Sequence, residues 1–215
     1  MVCVFRDHRI AVMLQRFAQR REWGLVAFVC AVLILVTALR SDLMFEDHPM
    51  YHGDWMHFGY LQVAEMLPDV YPVAPYGWRL LVPALVRLLP LSLHHGFLVV
   101  TLLGLVGTGV LVFTICGQVV ESRLSGWVGM LTYVSMVFVV RLNVIEFVAV
   151  DAVAYFFIAL AVHAALKRND VLFIVASTLG VLTKEIVLAV LPLYVTLQHV
   201  SGGSKGGWLR AVWRG

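Results

Sequence analysis

Residues Gly96–Val119 read GFLVVTLLGLVGTGVLVFTICGQV, twenty-four positions without one charged side chain. As an α-helix this run is ~36 Å long at ~1.5 Å per residue, more than the ~30 Å hydrocarbon core of a bilayer. It predicts a membrane-crossing helix, and four further runs predict the same environment. Trp23–Leu39 is uncharged, Trp127–Val140 is short, and Val144–Leu166 contains Glu146, Asp151 and His163. Val171–Leu197 is interrupted by Thr183-Lys184-Glu185.

The composition agrees. Hydrophobic residues make up 61% and charged residues 13% of the 215 positions, with a mean hydropathy of +0.89. Soluble domains hold ~45–50% apolar and ~25% charged residues. Disorder, a collagen-like repeat and a secreted disulfide scaffold are excluded. Three cysteines, Cys3, Cys30 and Cys116, follow no zinc or redox spacing. Cys30 and Cys116 lie in apolar runs and read as small hydrophobes.

The positions of the basic residues set the expected orientation. Arg6, Arg9, Arg16, Arg20 and Arg21 precede the first run, which is too long for a signal-peptide core and reads as an uncleaved span. Val4–Phe17 interleaves apolar residues with arginines, like an interfacial amphipathic helix or a solvated basic tail. If Val171–Leu197 is two short helices meeting at Lys184-Glu185, eleven of the sixteen basic residues fall on the N-terminal side of the membrane. If it is one helix, the split is eight to eight. Cytoplasmic segments carry the excess of Lys and Arg, so the hairpin is favoured. The expected fold class is all-α: a polytopic integral membrane protein with about six transmembrane or half-spanning helices. Its expected parts are a cytoplasmic basic amphipathic segment over 1–22, a transmembrane module over 23–197 and a cytoplasmic tail over 198–215. Ser201–Ser204 reads as a flexible linker. The +3 net charge is distributed for a membrane, not for nucleic acid.

Residues 40–94 form the longest connection, placed outside, and long polar loops between membrane helices usually carry function. Trp55–Leu67 reads as an amphipathic helix with Asp54 as N-cap. After Pro68, Pro72 and Pro75, Trp78–Leu89 reads as a second surface helix, kinked or restarted near Pro83.

The densest polar stretch, Phe45–Trp55, contains Glu46, Asp47, His48, Tyr51, His52 and Asp54. Paired carboxylates suit a general base or a divalent cation such as Mg or Mn; a hydrated loop start is the plain alternative. His48, His52 and His57 offer a second, metal-site reading, against which Pro49 and Gly53 argue. Arg79, flanked by aromatics, suits bidentate phosphate binding, with snorkelling to headgroups as the plain alternative, which also covers Arg87 and Arg141. Asp151 within an apolar run is a functional-site hypothesis by default, expected to face Arg141 or Lys184. His163 reads as interfacial. Lys184-Glu185 is either a self-neutralising pair where a helix ends, or a lysine facing a lipid headgroup with Glu185 orienting it.

Together these pieces resemble the GT-C superfamily of membrane glycosyltransferases, which use polyprenyl-phosphate-linked sugars. The resemblance is carried by Glu46-Asp47 and Tyr51 after the first span and by the two loop helices. It extends to Tyr76–Leu85, which is similar to a Y-x-x-R-x-L-x-P-x-L stretch, to Asp151 followed by Tyr155-Phe156-Phe157, and to Leu179–Glu185 with its L-T-K-E break. It covers residues 20–197 and implies a bacterial inner-membrane protein, as an N-terminal portion or short relative of enzymes with more spans. It further implies Asp47 or Glu46 as base, with Arg79 and Lys184 holding the donor phosphate. Tyr51, Asp54, Asp151 and Glu185 would support them. The expected partners are membrane lipid, a polyprenyl-phosphate-linked sugar and a protein at the outer loop. Two other functions compete: a non-catalytic membrane subunit or scaffold, and a small transporter or metal-handling protein using Asp151 and the histidines.

Overall fold

The computed structural model describes residues 3–41, 43, 55–66 and 79–201, with side chains over 21–41, 43, 59–66 and 79–197. Among these residues there are helices and no strand. In chain order they are α1 (Cys3–Leu39), α2 (Trp55–Met66), α3 (Leu81–Arg87), α4 (Leu93–Val119) and α5 (Arg123–Ser135). A π-helical turn (Val137–Arg141) leads into α6 (Leu142–Ile145). Then come α7 (Asp151–Leu166), α8 (Asp170–Val181), a 3₁₀ turn (Glu185–Ala189) and α9 (Val190–Ser201).

Two stretches, Arg21–Leu39 and α4, are long and apolar enough to cross a membrane. The pair Arg123–Ser135 and Val137–Ile145, bent by 60°, makes three if it is one broken span. The remaining apolar helices are shorter: sixteen residues in α7 and twelve in α8, roughly 24 and 18 Å at 1.5 Å per residue. Of the about six transmembrane or half-spanning helices expected, two or three among the described residues have spanning length, with shorter apolar helices beside them.

The burial pattern of α1 explains its environment. Val26, Cys30, Ile34 and Ala38 recur every fourth residue and are buried, so one narrow stripe meets the bundle. The other faces remain apolar, with Phe28 66% exposed and Leu25, Leu35 and Leu39 also outward. The Trp23–Leu39 part of α1, apolar all round yet buried on one stripe, suits a lipid surrounding. The sequence divides residues 4–17 from the first span, whereas the backbone runs through both as one helix.

α4 lies at the centre, packed on α1, α3, α5 and α7. The backbone of α7 comes close at Gly104, where a Cβ would lie 3.0 Å from the Ala152 carbonyl oxygen and 3.1 Å from its carbon. Only a residue without a side chain lets the start of α7 come so near. Gly126 of α5 does the same against α4, at 2.8 Å from the Phe113 carbonyl oxygen. Hydroxyls in α4 are satisfied without water: Thr108 donates to the Gly104 carbonyl at 2.7 Å and Thr114 to Val110 at 2.8 Å. Thr101 instead reaches across to the Phe147 carbonyl at 2.7 Å, tying α4 to the segment before α7.

Two buried apolar clusters result. One joins α1, α4, α5 and residues 140–144; the other joins α2, α3, the start of α4, residues 147–150, α7, α8 and the turn at Val187. In the second cluster, α8 and α9 form a hairpin. Gly180 faces Val187, and Phe173 stacks on Tyr194 with ring centroids 4.0 Å apart. The interruption at Thr183-Lys184-Glu185 is thus a reversal, as the charge balance favours.

Other boundaries shift. Of the expected Trp78–Leu89 helix, Leu81–Arg87 forms α3, with Pro83 in its first turn, where its missing N–H has no intrahelical partner to lose. Val144–Leu166 is not one helix: it breaks over residues 146–150 and restarts at Asp151. No proline or glycine occurs between Leu131 and Ala149. Burial of Phe147, Val148 and Val150 in the core, not a local breaker, accompanies the break.

Candidate functional site

The site forms where α8 stops. The amides of Thr183 and Lys184 both donate to the Gly180 carbonyl, at 2.9 and 2.8 Å, closing the end of the helix. The Thr183 hydroxyl donates to the Leu179 carbonyl at 3.1 Å, and the residue is fully buried. Lys184 is extended (φ −162°, ψ 133°), and Glu185 opens the 3₁₀ turn. A backbone bond from the Leu81 amide to the Leu182 carbonyl, at 3.2 Å, brings the start of α3 against this reversal.

Two ion pairs then use adjacent residues. Lys184 Nζ donates to Asp151 Oδ1. Asp151 is the first residue of α7, so the carboxylate sits at a positive helix end and the ammonium lies just beyond the negative end of α8. Both placements are favoured by the helix dipoles. Glu185 receives Arg79 through two parallel bonds, from Nε to Oε2 at 3.1 Å and from Nη2 to Oε1 at 2.5 Å. This is the bidentate fork of guanidinium and carboxylate. The remaining nitrogen of the fork, Nη1, donates to the Tyr60 hydroxyl at 2.8 Å. Arg79 and Tyr60 are buried.

These contacts place the charges unevenly. The side chains of Lys184 and Asp151 are 27% and 25% exposed, whereas Arg79 is 11% and Glu185 55% exposed. Hydrogen bonds from Arg79 hold the Glu185 carboxyl below the usual carboxylate range. The arrangement offers a preorganised guanidinium and an ammonium at one helix break, beside an apolar bundle. That combination suits an anion such as a phosphate.

Four residues anticipated from sequence, Arg79, Asp151, Lys184 and Glu185, therefore meet at one end of the bundle. Of the two cations expected beside Asp151, Lys184 is the partner, and Arg141 is exposed. Asp151 is also not mid-span but at a helix start. Arg87 is exposed, and its Nη1 donates to the Ala64 and Glu65 carbonyls at 2.9 and 2.8 Å, capping the last turn of α2. Tyr60 was not anticipated. Its signal was a phenol among the apolar positions of an amphipathic helix, since a buried hydroxyl needs a partner.

Glu46, Asp47, His48, Tyr51, His52 and Asp54 lie outside the described residues. His57 belongs to α2, but its side chain is likewise outside them. Among the described residues no three His, Cys, Asp or Glu side chains converge on one point. Of the described carboxylates, Asp151 and Glu185 are each engaged by a cationic side chain.

No protein-family profile, curated protein or solved structure matches the chain. The chemistry of the site itself is therefore the guide to its role.

Proposed function

We propose that the chain is a membrane glycosyltransferase-like protein that takes its sugar from a polyprenyl-phosphate donor at the extracytoplasmic face. The observation that carries this reading is the buried Arg79 guanidinium, held by Tyr60 and brought to the same helix break as Lys184. In this reading the basic N-terminal segment is cytoplasmic, the membrane is a bacterial inner membrane, and α2 and α3 belong to an outer loop over 40–94. A lipid-linked donor enters sideways from the bilayer, and a polar acceptor arrives from outside.

The chemistry is a substitution at the sugar's anomeric carbon. Asp47 or Glu46 accepts the proton of an acceptor hydroxyl, and that oxygen forms the new bond to the anomeric carbon. The bond from that carbon to the phosphate oxygen breaks, and the electron pair leaves with the phosphate. Arg79 and Lys184 stabilise the charge that develops there. Tyr60 positions Arg79, and Asp151 positions Lys184.

One observation favours a second reading, a non-catalytic subunit or scaffold whose outer loop binds a protein. Both cations are already neutralised by carboxylates of the chain, as in a purely structural lock. The test is photo-crosslinking of a polyprenyl-phosphate probe to the detergent-purified protein. Saturable labelling that unlabelled carrier competes away, and that Arg79→Ala and Lys184→Ala each abolish, supports the donor site. Unsaturable labelling, or labelling indifferent to both substitutions, rejects it in favour of the scaffold.

A further inference from the structure

The two ion pairs of the site differ in which one a ligand can open. Lys184 and Asp151 are equally sheltered, at 27% and 25% exposure, so separating them strands two half-buried charges. Arg79 and Glu185 are unequal. The guanidinium is 11% exposed and keeps its bond to buried Tyr60, while the carboxylate is 55% exposed and borne on the first residue of a 3₁₀ turn. If Glu185 swings outward, it regains hydration readily, and Arg79 stays in place. Two donors, Nε and Nη2, are then left facing outward from the position the carboxylate vacates.

A phosphate offers those donors the same thing a carboxylate does, two oxygens arranged for a fork of parallel N–H bonds. We propose that Glu185 is a resident stand-in for the ligand's phosphate: the site rests closed on the chain's own carboxylate, and a phosphate-bearing ligand binds by exchanging with it at Arg79. This rests on the donor-site reading and adds to it a built-in competitor. Glu185 then sets the affinity threshold. Weak anions, including bulk headgroups, must displace a bidentate partner, whereas a ligand that also reaches Lys184 gains a second contact. The pair of Lys184 with Asp151 stays intact and keeps the reversal after α8 in register.

A competitor that occupies the site most of the time lowers apparent affinity by the fraction of time the site is free. Neutralising Glu185 therefore strengthens binding, whereas a Glu185 that helped to hold the ligand would weaken it when neutralised. The experiment measures saturable binding of radiolabelled farnesyl phosphate to the full chain in detergent, for wild type, Glu185→Gln, Arg79→Gln and Lys184→Met. The expected result is binding about threefold to thirtyfold tighter in Glu185→Gln and lost in Arg79→Gln. Glu185→Asp, too short to keep both bonds, shifts the same way and serves if Glu185→Gln does not fold. Inorganic phosphate that competes at equal concentration identifies a free phosphate as the ligand. Failure to compete identifies the lipid-linked form. Wild-type binding that needs Arg79 but is unchanged or weakened in Glu185→Gln and Glu185→Asp overturns the exchange and leaves the donor site standing. Binding indifferent to Arg79 and Lys184 in every variant overturns both.

Discussion

Cutting the bond between Lys184 and Asp151 from either side should harm the fold, and cutting it from both sides should restore most of the loss. Removing one partner of a fully buried ion pair costs ~3–5 kcal/mol, because the survivor is left uncompensated, whereas exposed pairs contribute ~0.2–1 kcal/mol. At about a quarter exposure on each side, Asp151→Asn and Lys184→Met should each lose roughly 1.5–3 kcal/mol. The loss includes a helix-end contribution of ~0.3–1 kcal/mol per charge. The double variant leaves no orphaned charge and should lose no more than about 1–2 kcal/mol, a coupling of at least ~1 kcal/mol. For a chain of this size a kilocalorie moves Tm by ~2–4 °C, so the single variants should melt roughly 3–12 °C early. The assay is helical circular dichroism on heating the full chain in one fixed detergent. Losses that simply add in the double variant would refute the pairing and, with it, the claim that Asp151 anchors the reversal after α8.

Three other expectations concern packing, caps and pH. Gly104→Val places atoms against the Ala152 backbone and should cost ~1–3 kcal/mol or prevent folding, while Gly24→Ala meets nothing within 4 Å and should gain up to ~1 kcal/mol; equal melting temperatures for the two would count against the α4–α7 approach. Glu121 and Arg168 each lie just past a helix end with φ of 54°, so Glu121→Gly and Arg168→Gly should each raise stability by about 0.5–1 kcal/mol, and a fall in Tm for both would contradict that geometry. Glu185 ionises more readily folded than unfolded, its carboxyl lying below the ordinary value of 4.5. The unfolded chain therefore binds the extra proton. The contribution of the Arg79 pair is complete above that value and fades as pH falls through the folded one. The Tm gap between wild type and Glu185→Gln should narrow as pH falls below the ordinary value of 4.5, by a modest amount because Glu185 is more than half exposed; a gap that widens on acidification would reverse the sign of the argument.

Composition and run length alone disclosed helices long and apolar enough to cross a membrane, since an uncharged stretch such as Gly96–Val119 must be covered by protein or lipid. The interruption at Lys184-Glu185 was equally legible, because two adjacent charges cannot continue an apolar helix without reaching water or each other's opposites. That Arg79, Asp151, Lys184 and Glu185 need partners could be read from the cost of placing charge beside apolar surroundings. Which carboxylate meets which cation was not in the sequence. Asp151 could have faced Arg141 or Lys184, and the choice was made by the Gly104 approach that seats α7 against α4 and by the reversal that carries Lys184 back to it. The restart of α7 at Asp151 has no local breaker behind it. Tyr60 joined the site only because α2 packs on α3, nineteen positions from Arg79 in the chain. Local chemistry dictates what each segment must avoid, and long-range packing decides how each remaining charge is satisfied.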